Sequence, residues 1–210
     1  MNKRSEKLKR HLLEANLLDP EGQHHVFASG RHGRKLDFDI IPDGSELFEE
    51  LVDVVSERMR DLYWNKNYGK VALLGVANGA NRFVDPVYYN LGRAVTGLKT
   101  QKDESDPRRV VLTDEAEQAY AEQDFDWTVV LEDVGTEGTV ASTAVEAVRS
   151  VSTGKMEVLN IWQRSPSLLK LTAVGVPYRH VIYSPVPSFE PDECQRIGHC
   201  AEGWELIGRQ

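Results

Sequence analysis

The stretch "VVLEDVGTEGTVAST" (129–143) ends an apolar run in two adjacent carboxylates, Glu132 and Asp133, and continues into Gly135, Thr136, Glu137, Gly138 and Thr139. A strand-to-helix turn of this kind offers free backbone N–H groups at the positive end of a helix dipole, which suits an anion. Gly135 and Gly138 let the backbone come close to a ligand, and Thr136 and Thr139 add hydroxyl donors. The turn is not a Walker loop, because no Lys follows its last Gly. Two carboxylates repel a phosphate, so they should face something else. Vicinal hydroxyls of a sugar suit them, held directly or through Mg²⁺. Phosphate on one side and a diol on the other describe a ribose 5-phosphate. For this segment taken alone, a surface turn with incidental charges is the competing reading.

The elements that must position these groups follow from hydrophobic periodicity. Residues 4–18 fit an amphipathic helix, with Leu8, Leu12 and Leu13 on one side. Residues 26–40 read as two short extended pieces around a glycine-containing turn. A long helix begins after Ser45, a fitting N-cap, with Glu46 and Glu49 in its first turn. "KVALLG" (70–75) is a continuous apolar run suited to a strand buried on both faces. Asp85–Pro86 is expected to cap and begin the next helix, which runs through Leu91. "RAVTGL" and "RRVVLT" read as strands on either side of an exposed polar loop, 99–107. Further strands are expected at 127–132, 156–163 and 180–184. A helix is expected over 139–151, its apolar face made by Val140, Ala144, Val148 and Val151. Strands alternating with helices predict an α/β fold with a mostly parallel sheet of about five strands and helices on both faces. In such sheets the ligand sits beyond the carboxyl ends of the strands. Trp64, Trp127 and Trp162 border predicted elements and read as packing residues.

The formal charge of −8 argues against non-specific nucleic-acid binding. No apolar run approaches the roughly 18 residues needed to span a bilayer, so no membrane role is expected. The basic N-terminus is interrupted by polar residues and reads as a helix rather than a signal peptide. Two cysteines make no disulfide framework, so a reducing, cytoplasmic setting is expected.

The acidic-pair turn resembles the signature by which type I phosphoribosyltransferases bind phosphoribosyl pyrophosphate (PRPP), and four further segments, in fixed order, resemble the orotate branch in particular. "FASGRHGRKLDFD" (27–39) is similar to that branch's hood segment, where a Phe and a Ser-Gly lie near the nucleobase. "GVANGA" (75–80) is similar to its pyrophosphate loop. "LKTQKDE" (98–104) is similar to the start of its mobile loop, which carries two lysines three apart. "WQR" (162–164) falls where the family places an Arg facing the base.

The resemblance covers roughly residues 25–165. It implies one domain over 1–210, with a core at about 45–185 and a hood from about 20–42 and 185–210. It implies Mg²⁺-dependent transfer of 5-phosphoribosyl from PRPP to a nitrogen of a heterocyclic acceptor, in a homodimer. Glu132 and Asp133 would hold the ribose hydroxyls and Mg²⁺, and residues 135–139 the 5′-phosphate. The amides of Val76, Ala77, Asn78 and Gly79 would hold pyrophosphate. Lys102 and Lys99 would assist its departure, with Asp133 the third catalytic group. Phe27, Ser29, Gly30, Arg31 and Arg164 would face the acceptor.

Five positions depart from the pattern. Glu137 stands where the family has Thr or another small residue, and Thr139 where a second Gly is common. Asp103-Glu104 replaces His-Gly in the mobile loop, and Ala28 stands where a basic residue often sits. A carboxylate within ~5 Å of a phosphate dianion costs on the order of 1–3 kcal/mol unless it is screened or turned away. These departures keep open a non-catalytic regulator that binds PRPP or a nucleotide on the same fold. A hydrolase is disfavoured, since no nucleophile motif is present. Cys194, His199 and Cys200 form Cys-x5-Cys with one His, which is not a usual zinc spacing and lacks a fourth ligand. A structural role in closing the hood is the alternative. Of the hood histidines His24, His25 and His32, the last could meet a base, although a solvated loop is favoured for it.

Overall fold

Two apolar layers sandwich one central sheet in a computed structural model, which describes residues 3–27, 30–63, 69–92, 95–106 and 108–209. The strands are β3 (Val71–Gly75), β4 (Val95–Lys102), β5 (Val110–Leu112), β6 (Trp127–Gly135), β7 (Lys155–Gln163) and β8 (Tyr178–Tyr183). They lie in the order β5-β4-β3-β6-β7-β8. β4, β3, β6, β7 and β8 are parallel, and β5 is antiparallel at the edge. The sheet thus has six strands where about five were expected. β5 is the addition, a three-residue strand that folds back on the end of β4.

β3 and the middle of β6 read as unbroken apolar runs because both faces are covered. Alternation sends Leu73, Val129, Leu131 and Leu159 to one face, against α1 (Lys3–Glu14), α2 (Glu46–Tyr63) and α3 (Asn81–Leu91). Ala72, Leu74, Val130 and Val158 go to the other, against α4 (Asp114–Glu122), α5 (Thr139–Arg149) and α6 (Leu169–Ala173). α5 buries Ala141, Ala144, Val145 and Val148. Val151, expected on its apolar face, lies past its end and is exposed. Among the described residues, no helix is long and apolar enough to cross a membrane.

Ser45 Oγ accepts from the Phe48 N–H at 3.2 Å and caps α2 as its position predicts. α3 corrects the reading at Asp85–Pro86. The helix already begins at Asn81, and Pro86 sits inside it. An interior Pro costs roughly 3 kcal/mol, partly through the missing donor to the carbonyl four residues back. Phe83, Val84, Val87 and Leu91 are buried on the same helix. At roughly 1.5–3 kcal/mol each their burial outweighs the Pro. The polar segment 99–107 is corrected as well: Lys99 to Lys102 continue β4, with Thr100 paired to Leu112 and Lys102 to Val110. Trp162 is fully buried, as expected of a packing residue. Trp127 is half-buried beneath the Lys155 ammonium, and Trp64 lies outside the described residues.

A second sheet brings the two ends of the chain together, in the order β10-β1-β2-β9. β1 (Gln23–Val26) runs parallel to β10 (Glu205–Arg209) and antiparallel to β2 (His32–Gly33). β2 then pairs with β9 (Ser188–Phe189), just before α7 (Pro191–Ile197). His24, His25 and His32 are all buried in this layer, which overturns the solvated-loop reading of His32. His25 Nε2 lies 3.0 Å from the Asp19 carboxylate.

Candidate active site

Consecutive strand residues point to opposite faces, so the end of β6 divides its two carboxylates. Glu132 turns toward α5, where it accepts from the Ala141 N–H. Its other oxygen, Oε2, is buried and has no hydrogen-bond partner among the described residues. Burial, and after it the Asp133 charge, pushes the Glu132 carboxyl up to about 8. Asp133 turns the other way, and its Oδ1 accepts from the Val134 N–H at 2.8 Å. A Cβ on Gly79 would fall on Asp133 Oδ2, so only glycine lets the loop after β3 lie against this carboxylate. Burial raises the Asp133 pKa; backbone donors oppose the shift, and the charges of Asp39 and Asp37 reinforce it.

A cleft opens around the pair in two lobes of about 410 and 680 Å³. Glu132, Thr136, Phe27 and Arg108 border both lobes. The smaller lobe lies at the start of α5, whose N-cap Gly138 has φ 77° and no side chain with which to cap the first turn. Thr139, Glu137 and Lys170 complete its wall. The Glu137 carboxylate lies 4.0 Å from Arg31 Nε, so the extra negative charge of this turn has a cation beside it. The larger lobe holds Asp133, Lys102 and Arg164, together with Val76 to Gly79.

The four expected pyrophosphate amides are not equivalent. The Val76 N–H donates to the Leu131 carbonyl and the Ala77 N–H to Thr100 Oγ1, both at 2.9 Å. Among the described residues, Asn78 and Gly79 have no such acceptor, so these two amides face the choice of water or ligand. The Ala77–Asn78 peptide is cis.

Lys102 and Lys99 part company for the reason that divides Glu132 from Asp133. Three positions apart on a strand, they point to opposite faces. Lys102 borders the cleft, whereas Lys99 bonds to Asp85 at 2.6 Å on the outside of α3. Gly135 is packed against Asn160, and its carbonyl accepts the Arg164 N–H at 3.0 Å. Gly30 and Arg31 form the turn between β1 and β2, with Arg31 also bound to Ser188 and Glu190. Ser29 and Ala28 lie outside the described residues.

Arg164 is 3 % exposed and sits over the Phe27 ring at 4.9 Å. Its guanidinium donates to the Val186 and Pro187 carbonyls at 3.3–3.4 Å. Burial first, and then Arg31, lowers its pKa to about 10 against the pull of Asp19. Among the described residues it has no carboxylate within ion-pair distance.

The sequence reading missed Lys35, Asp37, Asp39, Arg108 and Lys170, all of which border the cleft. The first three were legible. In "KLDFD" (35–39) every second residue is charged, while Leu36 and Phe38 are buried. That period of two marks a segment with one wet face, extended as far as Asp37 before Phe38–Ile40 turn as a short 3-10 helix. Arg108 and Lys170 gave no such signal: the first is brought in by the loop between β4 and β5, the second by the short helix α6.

No protein-family model matches the sequence, and no curated protein matches it either. Solved structures do. Orotate phosphoribosyltransferase from Aeropyrum pernix superposes with a TM-score of 0.61 at 19% identity, covering 84% of this chain and 93% of that one. The fold is that of the type I phosphoribosyltransferases. Adenine phosphoribosyltransferase from Saccharomyces cerevisiae gives a TM-score of 0.58 at 12% identity over 87% of this chain and all of that one. Mycobacterium tuberculosis orotate phosphoribosyltransferase, in complex with PRPP, gives 0.55 at 19% identity over 87% of this chain and 90% of the other. On this phosphoribosyltransferase fold the cleft lies at the carboxyl ends of β3 and β6, where parallel α/β sheets place their ligands.

Proposed function

We propose that the cleft binds PRPP with Mg²⁺ and transfers its 5-phosphoribosyl group to a ring nitrogen of a nucleobase or related heterocycle. The observation that carries this reading is the acidic pair at the end of β6, with Glu132 Oε2 buried and, among the described residues, unpartnered beside the glycine-capped start of α5. A buried carboxylate oxygen without a donor costs free energy that a sugar hydroxyl or a cation would return. The donor set suits Mg²⁺, since Glu132 and Asp133 offer hard carboxylate oxygens on either side of one strand end. When bound, Mg²⁺ would supply charge neutralisation to the pyrophosphate oxygens.

The chain's own groups divide the remaining work. The Thr139 and Val140 amides at the start of α5, the Thr136 and Thr139 hydroxyls and Lys170 hold the 5′-phosphate. The Asn78 and Gly79 amides hold pyrophosphate. Cleavage of the C–O bond at the anomeric carbon passes through an oxocarbenium-like state, as in glycosyl chemistry. The bonding pair leaves with pyrophosphate, and Lys102 stabilises the charge that develops there. Arg164 and Phe27 face the acceptor as a flat cation–aromatic wall, which suits a planar ring carrying an anionic substituent. A homodimer forms part of the same reading, supported by the resemblance to the orotate branch.

Isothermal titration of PRPP with and without Mg²⁺, repeated on Asp133→Asn, tests the proposal. Binding that requires Mg²⁺ and disappears in the variant supports it, and orotate, other pyrimidines and purines are then screened as acceptors. No binding at millimolar PRPP overturns it. Glu137 in the phosphate turn and the acidic loop residues Asp103 and Glu104 favour a second reading, a PRPP- or nucleotide-binding regulator. That reading gains if PRPP binds but no heterocycle accepts the phosphoribosyl group.

A further inference from the structure

The hood sheet carries a cluster that the reaction above does not use. His24 on β1, His32 on β2, Cys194 in α7 and Cys200 just beyond it place one ligand atom each within 4.8 Å of one another. His24 Nε2 lies 3.2 Å and His32 Nδ1 3.4 Å from Cys200 Sγ. The Cys200 N–H donates to Cys194 Sγ at 3.2 Å. His24 and Cys194 are fully buried, and His32 is nearly so.

We propose that His24, His32, Cys194 and Cys200 form a structural zinc site that clasps the two ends of the chain into the hood. A tetrahedral zinc with bonds of about 2.0–2.3 Å sets its ligand atoms about 3.3–3.8 Å apart. Two contacts already stand near that separation, and the widest must close by about 1 Å. Two imidazoles and two thiolates are borderline-to-soft donors, which select zinc over Mg²⁺. Four protein ligands in a buried pocket leave no open position, as in structural rather than catalytic sites. Binding replaces two S–H bonds by two Zn–S bonds, and both protons go to solvent. The Cys200 N–H is already aimed at Cys194 Sγ and would hydrogen-bond the thiolate as an outer partner.

The architecture gives the clasp its purpose. His24 and Cys200 are 176 residues apart in sequence, yet their side chains touch. β2 and β9, which meet between the ligand pairs, are only two residues long each. Beside them, among the described residues, only the short β1–β10 ladder, from Gln23 to Val26, joins the two ends within this sheet, so a metal tie would add to a small pairing. Phe27 and Arg31 lie on the 25–33 hairpin between the two histidines, so the same clasp would hold the acceptor side of the cleft in place. His199, which the sequence placed beside the two cysteines, is not a ligand. It stacks on Trp204, with ring centroids 4.2 Å apart.

The test uses untagged full-length protein, purified without chelator and assayed for metal by mass spectrometry. One zinc per chain is expected, and replacement by Co²⁺ should give the strong visible absorption and thiolate charge-transfer bands of a tetrahedral sulfur-ligated site. Cys200→Ser and His32→Asn should weaken zinc by at least about tenfold in a chelator competition. His199→Gln, next to the site but outside it, should bind zinc as the wild type does. Should a variant fail to fold, the wild-type cobalt spectrum and metal content still decide the matter. Protein that holds no zinc and gives no tetrahedral cobalt spectrum overturns the proposal. So does a Cys194–Cys200 disulfide in protein kept under reducing conditions, or an unchanged zinc affinity in both ligand variants.

Discussion

Replacing Glu132 by Gln should stabilise the protein, and by an amount that grows with pH. The Glu132 carboxyl titrates at 4.5 in its ordinary state and at about 8 when buried beside Asp133. Between those values the folded protein holds a proton that the unfolded chain has released. Stability is therefore complete below the ordinary carboxyl range and falls as the pH rises toward 8, by up to about 1.4 kcal/mol per pH unit. From about pH 5.5 to about pH 7.5 that is roughly 2–3 kcal/mol, an upper figure because water entry and relaxation soften buried charge. Gln cannot ionise and retains an acceptor for the Ala141 N–H, so the variant should lack this slope. Urea unfolding of both proteins at several pH values without added Mg²⁺ measures the gap between them, and titrating groups that Glu132 does not touch cancel. Adding Mg²⁺ should flatten the wild-type slope, since a cation that binds the ionised pair stabilises the folded form. A gap that stays constant across this range would falsify the assignment of Glu132 as a buried, charge-poor carboxylate.

Other outcomes follow from the same geometry. Gly79→Ala should displace the Asp133 carboxylate and weaken Mg²⁺-dependent PRPP binding by about tenfold or more, about 1.4 kcal/mol, read by calorimetry. Lys102→Ala should lower the transfer rate by about 10²–10³, whereas Lys99→Ala, which removes only an exposed ion pair to Asp85, should change rate and stability little. Steady-state kinetics on the pair separates them, and equal losses would refute the placement of Lys99 outside the cleft. Glu137→Gln should tighten PRPP binding several-fold at low salt, less than an isolated carboxylate would imply because Arg31 already stands beside it.

What the sequence made legible, and what it hid, divides along a physical line. Elements whose identity is local could be read: the unbroken apolar run of β3, the Ser45 cap, and the acidic pair followed by glycines and threonines. Errors arose where a local signal was outweighed by burial elsewhere. Pro86 announces a helix start, yet four buried residues carry α3 across it. The polar composition of 99–107 announces a loop, yet the backbone pairing of Thr100 and Lys102 with β5 extends the strand and thereby turns Lys99 away from Lys102. The cluster of two histidines and two cysteines was hidden for a different reason. Its histidines lie at one end of the chain and its cysteines at the other, with spacings of eight (32 − 24) and six (200 − 194) residues that match no compact ligand motif. Only the pairing of β1 with β10 and of β2 with β9 brings the four together. The tertiary fold therefore carries information here that no window of sequence contains, and a metal assay on the intact chain reads it directly.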